Sequence, residues 1–149
     1  LQTIPSFVYL VPVVMLFTLG AVPGIIASVL YAVVPGIRLT ALGVKQVSAE
    51  TIEASQAFGA TRRQTLFGVR LPLASPTIMV GVNQVIMMVL AMIVIAGLVG
   101  GGALGFETVR AVKASLTGHG FEVAIAIVTM AVILDRLTQA WAERLQPPA

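Results

Sequence analysis

Few side chains in this 149-residue sequence could act on a substrate, and their spacing narrows what they can do. There is no cysteine and one histidine, His119, so thiolate nucleophiles, disulfides and Cys- or His-rich metal sites are excluded. No G-x-S-x-G, no H-E-x-x-H and no pair of membrane-embedded aspartates occurs. The run Gly100-Gly101-Gly102-Ala103-Leu104-Gly105 spells G-x-G-x-x-G. That pattern cradles a pyrophosphate only between a strand and a helix, whereas here it follows a long apolar run, so a tight turn or a re-entrant segment is expected. No G-x-x-x-x-G-K-[ST] is present, and any ATP must be used by another chain. His119, between Gly118 and Gly120, reads as an exposed loop residue. Asp135-Arg136 reads as a local ion pair at a helix end, with a proton relay or gate as the alternative. Asn83 and Gln84 fall inside an apolar run where such groups must find partners; interhelical hydrogen bonding and pore lining are both open to them. With Met88 on the same helix they are the candidates for a translocation path. Met79, Met87 and Met92 read as adaptable packing. No catalytic residue, cofactor or metal is expected.

The one substantial polar island runs from Ser48 to Pro72, with helix-cap punctuation between two long apolar arms. Ser48 can accept from the free N–H groups of a helix beginning at Ala49, and Glu50 and Glu53 lie near its positive end. Gly59 supplies the left-handed residue that closes it, so the expected helix is Ala49 to Phe58. Ile52, Ala54 and Phe58 are expected on one apolar side. Thr61 and Gln64 have capping-box spacing and start a second short helix to about Val69, ended by Pro72.

The elements that position these residues are set by composition. Hydrophobic residues make up 58% of the chain and charged ones 10%, with a mean hydropathy of +1.00, outside the soluble globular range. The net charge of +3 lacks the basic stripe with interleaved aromatics that nucleic-acid binding needs. An integral membrane bundle is the expected class, all-α, one domain over 1–149, with spans near 4–19, 25–42, 76–99 and 123–137. The turn between the first two is placed at Gly20 to Gly24, Ser75-Pro76 reads as the N-terminus of the third, and kinks are expected at Pro12 and Pro35. Phe121 and Trp141 read as interfacial anchors. Basic residues set the orientation: with the island inside, Arg38, Lys45, Arg62, Arg63, Arg70, Arg136 and Arg144 are inside and only Arg110 and Lys113 outside. The island and C-terminus are then cytoplasmic. Leu1 opens within an apolar segment without a basic flank or cleavage site, so it reads as the start of a fragment and not as a signal peptide.

Glu53-Ala54-Ser55, then Gly59, Val69 and Leu71-Pro72, resembles the E-A-A…G…I-x-L-P loop of ABC importer permeases, with Ser55 for the second Ala and Val69 for Ile. The segments L-Q-T-I-P-S-F-V-Y-L-V-P-V-V-M-L-F, R-L-P-L-A-S-P-T-I-M-V-G-V-N-Q and I-L-D-R-L-T-Q are similar to permeases for glycine betaine, proline betaine and choline uptake. The resemblance implies a type I importer fold with further helices upstream. It implies two ATPase subunits, a second permease subunit of identical or related sequence, and an extracytoplasmic substrate-binding protein. It also implies that Glu53, Ala54, Ser55, Ala57, Phe58, Gly59, Ala60, Leu71 and Pro72 form the ATPase-coupling loop, with Ala57, Phe58 and Ala60 at the contact. The aromatic residues are scattered, so no cage for a quaternary ammonium ion is expected in this chain; the resemblance places recognition in the binding protein. Permeation of another small solute by such an importer, a passive channel or secondary transporter, and a membrane scaffold are the alternatives.

Overall fold

The computed structural model describes residues 5–144. Its order is α1 (Ser6–Phe17), α2 (Ala21–Gln46), α3 (Ala49–Ala57), α4 (Arg62–Thr65), a π-helical turn (Leu66–Arg70), α5 (Leu71–Leu98), α6 (Ala103–Lys113) and α7 (Thr117–Arg144). Among the described residues there is no strand.

The centre of the fold is the antiparallel pair α2 and α5. Small residues on both helices let the two backbones approach, as in membrane helix pairs: Gly24 of α2 faces Ala96, Gly81 of α5 faces Leu39, and Gly43 of α2 faces Thr77. A Cβ at Gly43 would lie 2.9 Å from the Thr77 Cβ. Ala27, Ser28, Ala32 and Pro35 continue the buried stripe, and the Ser28 hydroxyl donates to the Gly24 carbonyl at 2.7 Å, removing a buried polar group from the contact. Leu10 of α1, Ala27 of α2 and Met92 of α5 form the buried apolar cluster, with Tyr9, Tyr31 and Ile95 packed around it. Elsewhere large apolar side chains point outward, Met15 at 81% and Leu16 at 77% exposure among them. That is the pattern of a chain whose solvent is apolar. α2 and the continuous helix Arg62–Leu98 are long and apolar enough to cross a bilayer by length and composition.

Several boundaries differ from the sequence expectations. The α1 helix occupies Ser6–Phe17 of the expected 4–19; Ile4 lies outside the described residues. The turn before α2 is confined to Thr18 through Gly20, and α2 starts four residues before Ile25. Pro23 sits in its first turn, where no intrahelical donor is missed. The same helix also runs four residues past Leu42.

The largest difference is at Pro72 and Ser75-Pro76, where a break and a new N-terminus are expected and neither occurs. The helix Arg62–Leu98 is continuous over 37 residues. Its widened π turn carries the chain into Pro72, with the Leu71 N–H bonded to the Leu66 carbonyl. At Pro76 the missing N–H frees the Pro72 carbonyl, and the Ser75 hydroxyl donates to that oxygen at 2.7 Å.

Gly100 to Gly102 form the tight turn after α5, with the Gly101 N–H on the Ala96 carbonyl at 2.9 Å. The Gly20 N–H donates to the Val99 carbonyl at 2.8 Å, tying the turn before α2 to the end of α5. The α6 backbone then lies directly against α5 at Gly105, where a side chain would overlap the Ile93 carbonyl. α7 is longer than the expected 123–137, starting at Thr117 and ending at Arg144.

Candidate functional site

The polar island folds as a knuckle built by its caps. The Ser48 hydroxyl accepts from the Thr51 N–H at 3.3 Å and starts α3. At the other end the Phe58, Gly59 and Ala60 N–H groups return to the carbonyls of Ala54, Gln56 and Ser55. Gly59 makes this possible with φ +82°, a conformation only glycine takes at no cost. Thr61 and Gln64 form a reciprocal capping box at the start of α4. Thr65 is buried, and its hydroxyl lies 3.2 Å from that of Ser55, so the serine of the motif cross-links α3 to α4.

This leaves a rigid tip with its chemistry outward. Glu53, Ala54, Ala57, Phe58 and Gly59 are exposed, and Phe58 is 93% exposed with Phe67 nearby in sequence at 65%. No residue of α3 is buried. Ile52, Ser55 and Ala60 are half-buried. The expected apolar face of Ile52, Ala54 and Phe58 is therefore corrected: Ile52 turns inward with Ser55, while Ala54 and Phe58 point away. The reason is angular, because positions six apart on a helix differ by more than a quarter turn.

Leu71 and Pro72 sit at the root of the knuckle, in the first turn of α5. Asn83, Gln84 and Met88 lie farther along that helix, Asn83 by ~18 Å at ~1.5 Å per residue. The fold thus keeps the two sets of candidate residues apart, with Leu71 and Pro72 of the first set on the same unbroken helix as Asn83, Gln84 and Met88.

Asn83 belongs to a cluster that sequence spacing could not reveal. Its amide donates to Asp135 Oδ1 at 2.9 Å and its carbonyl accepts from the Thr138 hydroxyl at 2.8 Å, linking α5 to α7. Gln139 donates to Asp135 Oδ2 at 2.7 Å. Asp135 and Arg136 form no ion pair among the described residues, which corrects that expectation; consecutive helix residues do not face each other. Gln84 is exposed and Met88 half-buried. Replacing Asn83 with Leu removes two interhelical bonds and strips Asp135 of one donor. The expected loss is ~1–3 kcal/mol, above the ~0.6 kcal/mol of an average interhelical bond, read as lower thermal stability of the detergent-solubilised protein; Asp135→Asn should cost less.

His119 also departs from expectation. It lies in the first turn of α7 and not in a loop, with Nε2 3.0 Å from Glu107 Oε2 on α6 and Nδ1 3.5 Å from Glu122. Arg110 approaches the same Glu107 oxygen at 3.4 Å. All four groups lie outside the expected span 123–137. The hydrogen bond to Glu107 raises the His119 pKa above its ordinary 6.5, against partial desolvation. The same bond chiefly lowers Glu107 below its ordinary 4.5. A raised histidine stabilises the fold below 6.5 and loses that contribution as pH rises through its folded value; a lowered carboxylate contributes above 4.5 and loses it as pH falls through its own. The α6–α7 link is therefore complete between those limits. Hydrogen exchange at residues 117–120, corrected for intrinsic rates, should accelerate above that window, and His119→Gln should abolish the upper transition.

Comparison with known proteins places this geometry. A family model described as "Binding-protein-dependent transport system inner membrane component" matches residues 1–147. The chain is 54% identical to the glycine betaine transport system permease protein OpuAB of Bacillus subtilis (strain 168), over 93% of this chain and 49% of that protein. It is 53% identical to the glycine betaine/proline betaine transport system permease protein ProW of Escherichia coli (strain K12), over 94% of this chain and 40% of that one. The chain thus spans about half or less of the length of these relatives. Among solved structures it superposes on a chain of the inward-facing MetNI methionine ABC transporter with a TM-score of 0.85 at 21% identity, covering 98% of this chain and 71% of that chain.

Proposed function

This chain belongs to the family of binding-protein-dependent transport system inner membrane components, and from that premise we propose that it is the core of the permease subunit of an ATP-driven importer for glycine betaine, proline betaine or choline, serving osmoprotection. The observation that carries the coupling role is the capped knuckle, with Glu53 through Gly59 held outward on a stiff tip rooted in an unbroken helix. A loop with its ends pinned by Ser48, Gly59 and the Thr61–Gln64 box can pass on a displacement; a slack one would absorb it.

The cycle follows from that mechanical link. Two separate ATPase subunits each receive one knuckle, with Ala57, Phe58 and Ala60 at the contact, and a second permease subunit encloses the path. ATP binding draws the ATPases together, the knuckles follow, and because α4 runs without interruption into α5 the motion reaches Asn83, Gln84 and Met88. The path then opens outward to a substrate-binding protein, and hydrolysis resets it. In this reading α1, α2, α5 and residues 123–137 of α7 span the membrane, and the concentration of basic residues on one side supports a cytoplasmic knuckle and C-terminus. Phe121 and Trp141, both exposed, suit the two interfaces.

The cargo assignment is supported by the names of relatives that are 54% and 53% identical to this chain over the aligned residues. It is tested by uptake into vesicles containing the full-length subunit and its partners. ATP-dependent accumulation of glycine betaine, proline betaine or choline, above carnitine and an amino acid, is the expected result. Accumulation of the amino acid alone would reassign the cargo. Uptake that survives ATP depletion and collapses with the ion gradient would overturn the ATP-driven mechanism.

A further inference from the structure

Beside the α2–α5 seam lies an open groove of about 890 Å³ whose walls are apolar, Val33 and Ile37 from α2 and Val85 and Val89 from α5 among them. Its chemistry changes at one end. Lys45 and Arg70 both line it there, and among the described residues no acidic side chain lines it. Arg70 belongs to the π turn at the root of the knuckle. Two cations on an otherwise apolar wall, with no carboxylate among the described lining residues, complement an anion.

We propose that this groove is a binding site for one anionic phospholipid, its phosphate held by Arg70 and Lys45 and an acyl chain laid along Val33, Ile37, Val85 and Val89. The inference rests on the membrane reading of the chain and is independent of the cargo. Length agrees: from Lys45 to Val29 the groove follows α2 for ~24 Å at ~1.5 Å per residue, enough for a chain spanning one leaflet of a ~30 Å hydrocarbon core. Charge agrees as well, since arginine meets a phosphodiester through paired donors and lysine adds a point charge. A soluble anion would satisfy the cations but leave the apolar wall uncovered. The bound lipid would staple α2 to the turn through which the knuckle joins α5.

The test uses the full-length subunit with its partners in nanodiscs of equal parts phosphatidylglycerol and phosphatidylcholine, re-extracted in mild detergent, with retained lipid counted by mass spectrometry. Wild type should retain phosphatidylglycerol over phosphatidylcholine, and inorganic phosphate should not displace it. The double variant Arg70→Gln, Lys45→Gln should lower retention about tenfold, the loss expected when charge-assisted bonds to phosphate go. Ile37→Trp, which fills the groove and keeps both cations, should lower it as well, covering the case in which the Arg70 variant fails to fold. Equal retention of the two lipids by wild type, or undiminished retention in Ile37→Trp, would overturn the proposal. So would efficient crosslinking of a cysteine at Val33 to another permease helix or a second copy, since protein would then fill the groove.

Discussion

Gly59→Asp in the full-length subunit is expected to insert and assemble normally yet to transport at background. Gly59 is the one residue of the knuckle held at positive φ, +82°, and there is open space where its Cβ would be. The fold therefore meets no steric clash, only ~1–2 kcal/mol of left-handed backbone strain, which aspartate tolerates better than most residues. What changes is the outer surface: a carboxylate appears beside Phe58, at the centre of the proposed docking face. Losses of ~2–4 kcal/mol are typical of disrupted interface hot spots, enough to lower coupled uptake by more than tenfold. Glu53→Lys should behave alike by reversing an exposed charge without touching packing; exposed substitutions of that kind shift stability by about ±0.5 kcal/mol. Gly59→Ala separates the two causes, since it carries the strain without the charge and should keep much of the uptake. Wild-type uptake by Gly59→Asp and Glu53→Lys together would remove the coupling role from the knuckle.

Gly105→Leu is expected to be the most damaging substitution to the fold itself. Any side chain there would overlap the Ile93 carbonyl, and one at Gly97 would overlap Gly105 in turn. These neighbours are backbone, so α6 must leave α5 to make room. Overpacking costs ~1–3 kcal/mol where side chains can adjust and more where they cannot. A loss of at least ~3 kcal/mol, a large part of a marginal fold's stability, should appear as a lowered unfolding temperature or failure to accumulate. Gly118→Ala, at a position open to solvent, is the control and should change little.

Residue by residue, what could be read in advance was what is decided locally. Ser48, Gly59 and the Thr61–Gln64 pair act over three or four residues, and the caps form where their spacing indicates. Proline reads as local and is not. Pro72 and Pro76 signal breaks, but a π turn and the Ser75 hydroxyl supply what the prolines remove, and those remedies carry no fixed pattern. The small residues at Gly24, Ala27, Ser28 and Ala32 did hold a signal, a stripe at three- and four-residue spacing that marks a close helix contact; it was obscured because Gly20 to Gly24 also resembles a turn. The Asn83–Asp135–Thr138 cluster joins positions more than fifty apart in sequence. Nothing in the spacing of polar residues along one apolar helix says which residue of another it will meet. For His119 the flanking glycines suggest a loop, yet it lies in the first turn of α7, where Glu107 of α6 and Glu122 of its own helix engage its ring.

The most direct test of the coupling role is cysteine crosslinking at the tip of the knuckle. Single cysteines at Ala57 or Ala60 in the intact transporter should join to the ATPase subunit in high yield, with a yield that changes between nucleotide-free and ATP-bound states, and should react with membrane-impermeant reagents only from the cytoplasmic side. Crosslinks that never capture the ATPase, or labelling of either position from outside the cell, would contradict the account.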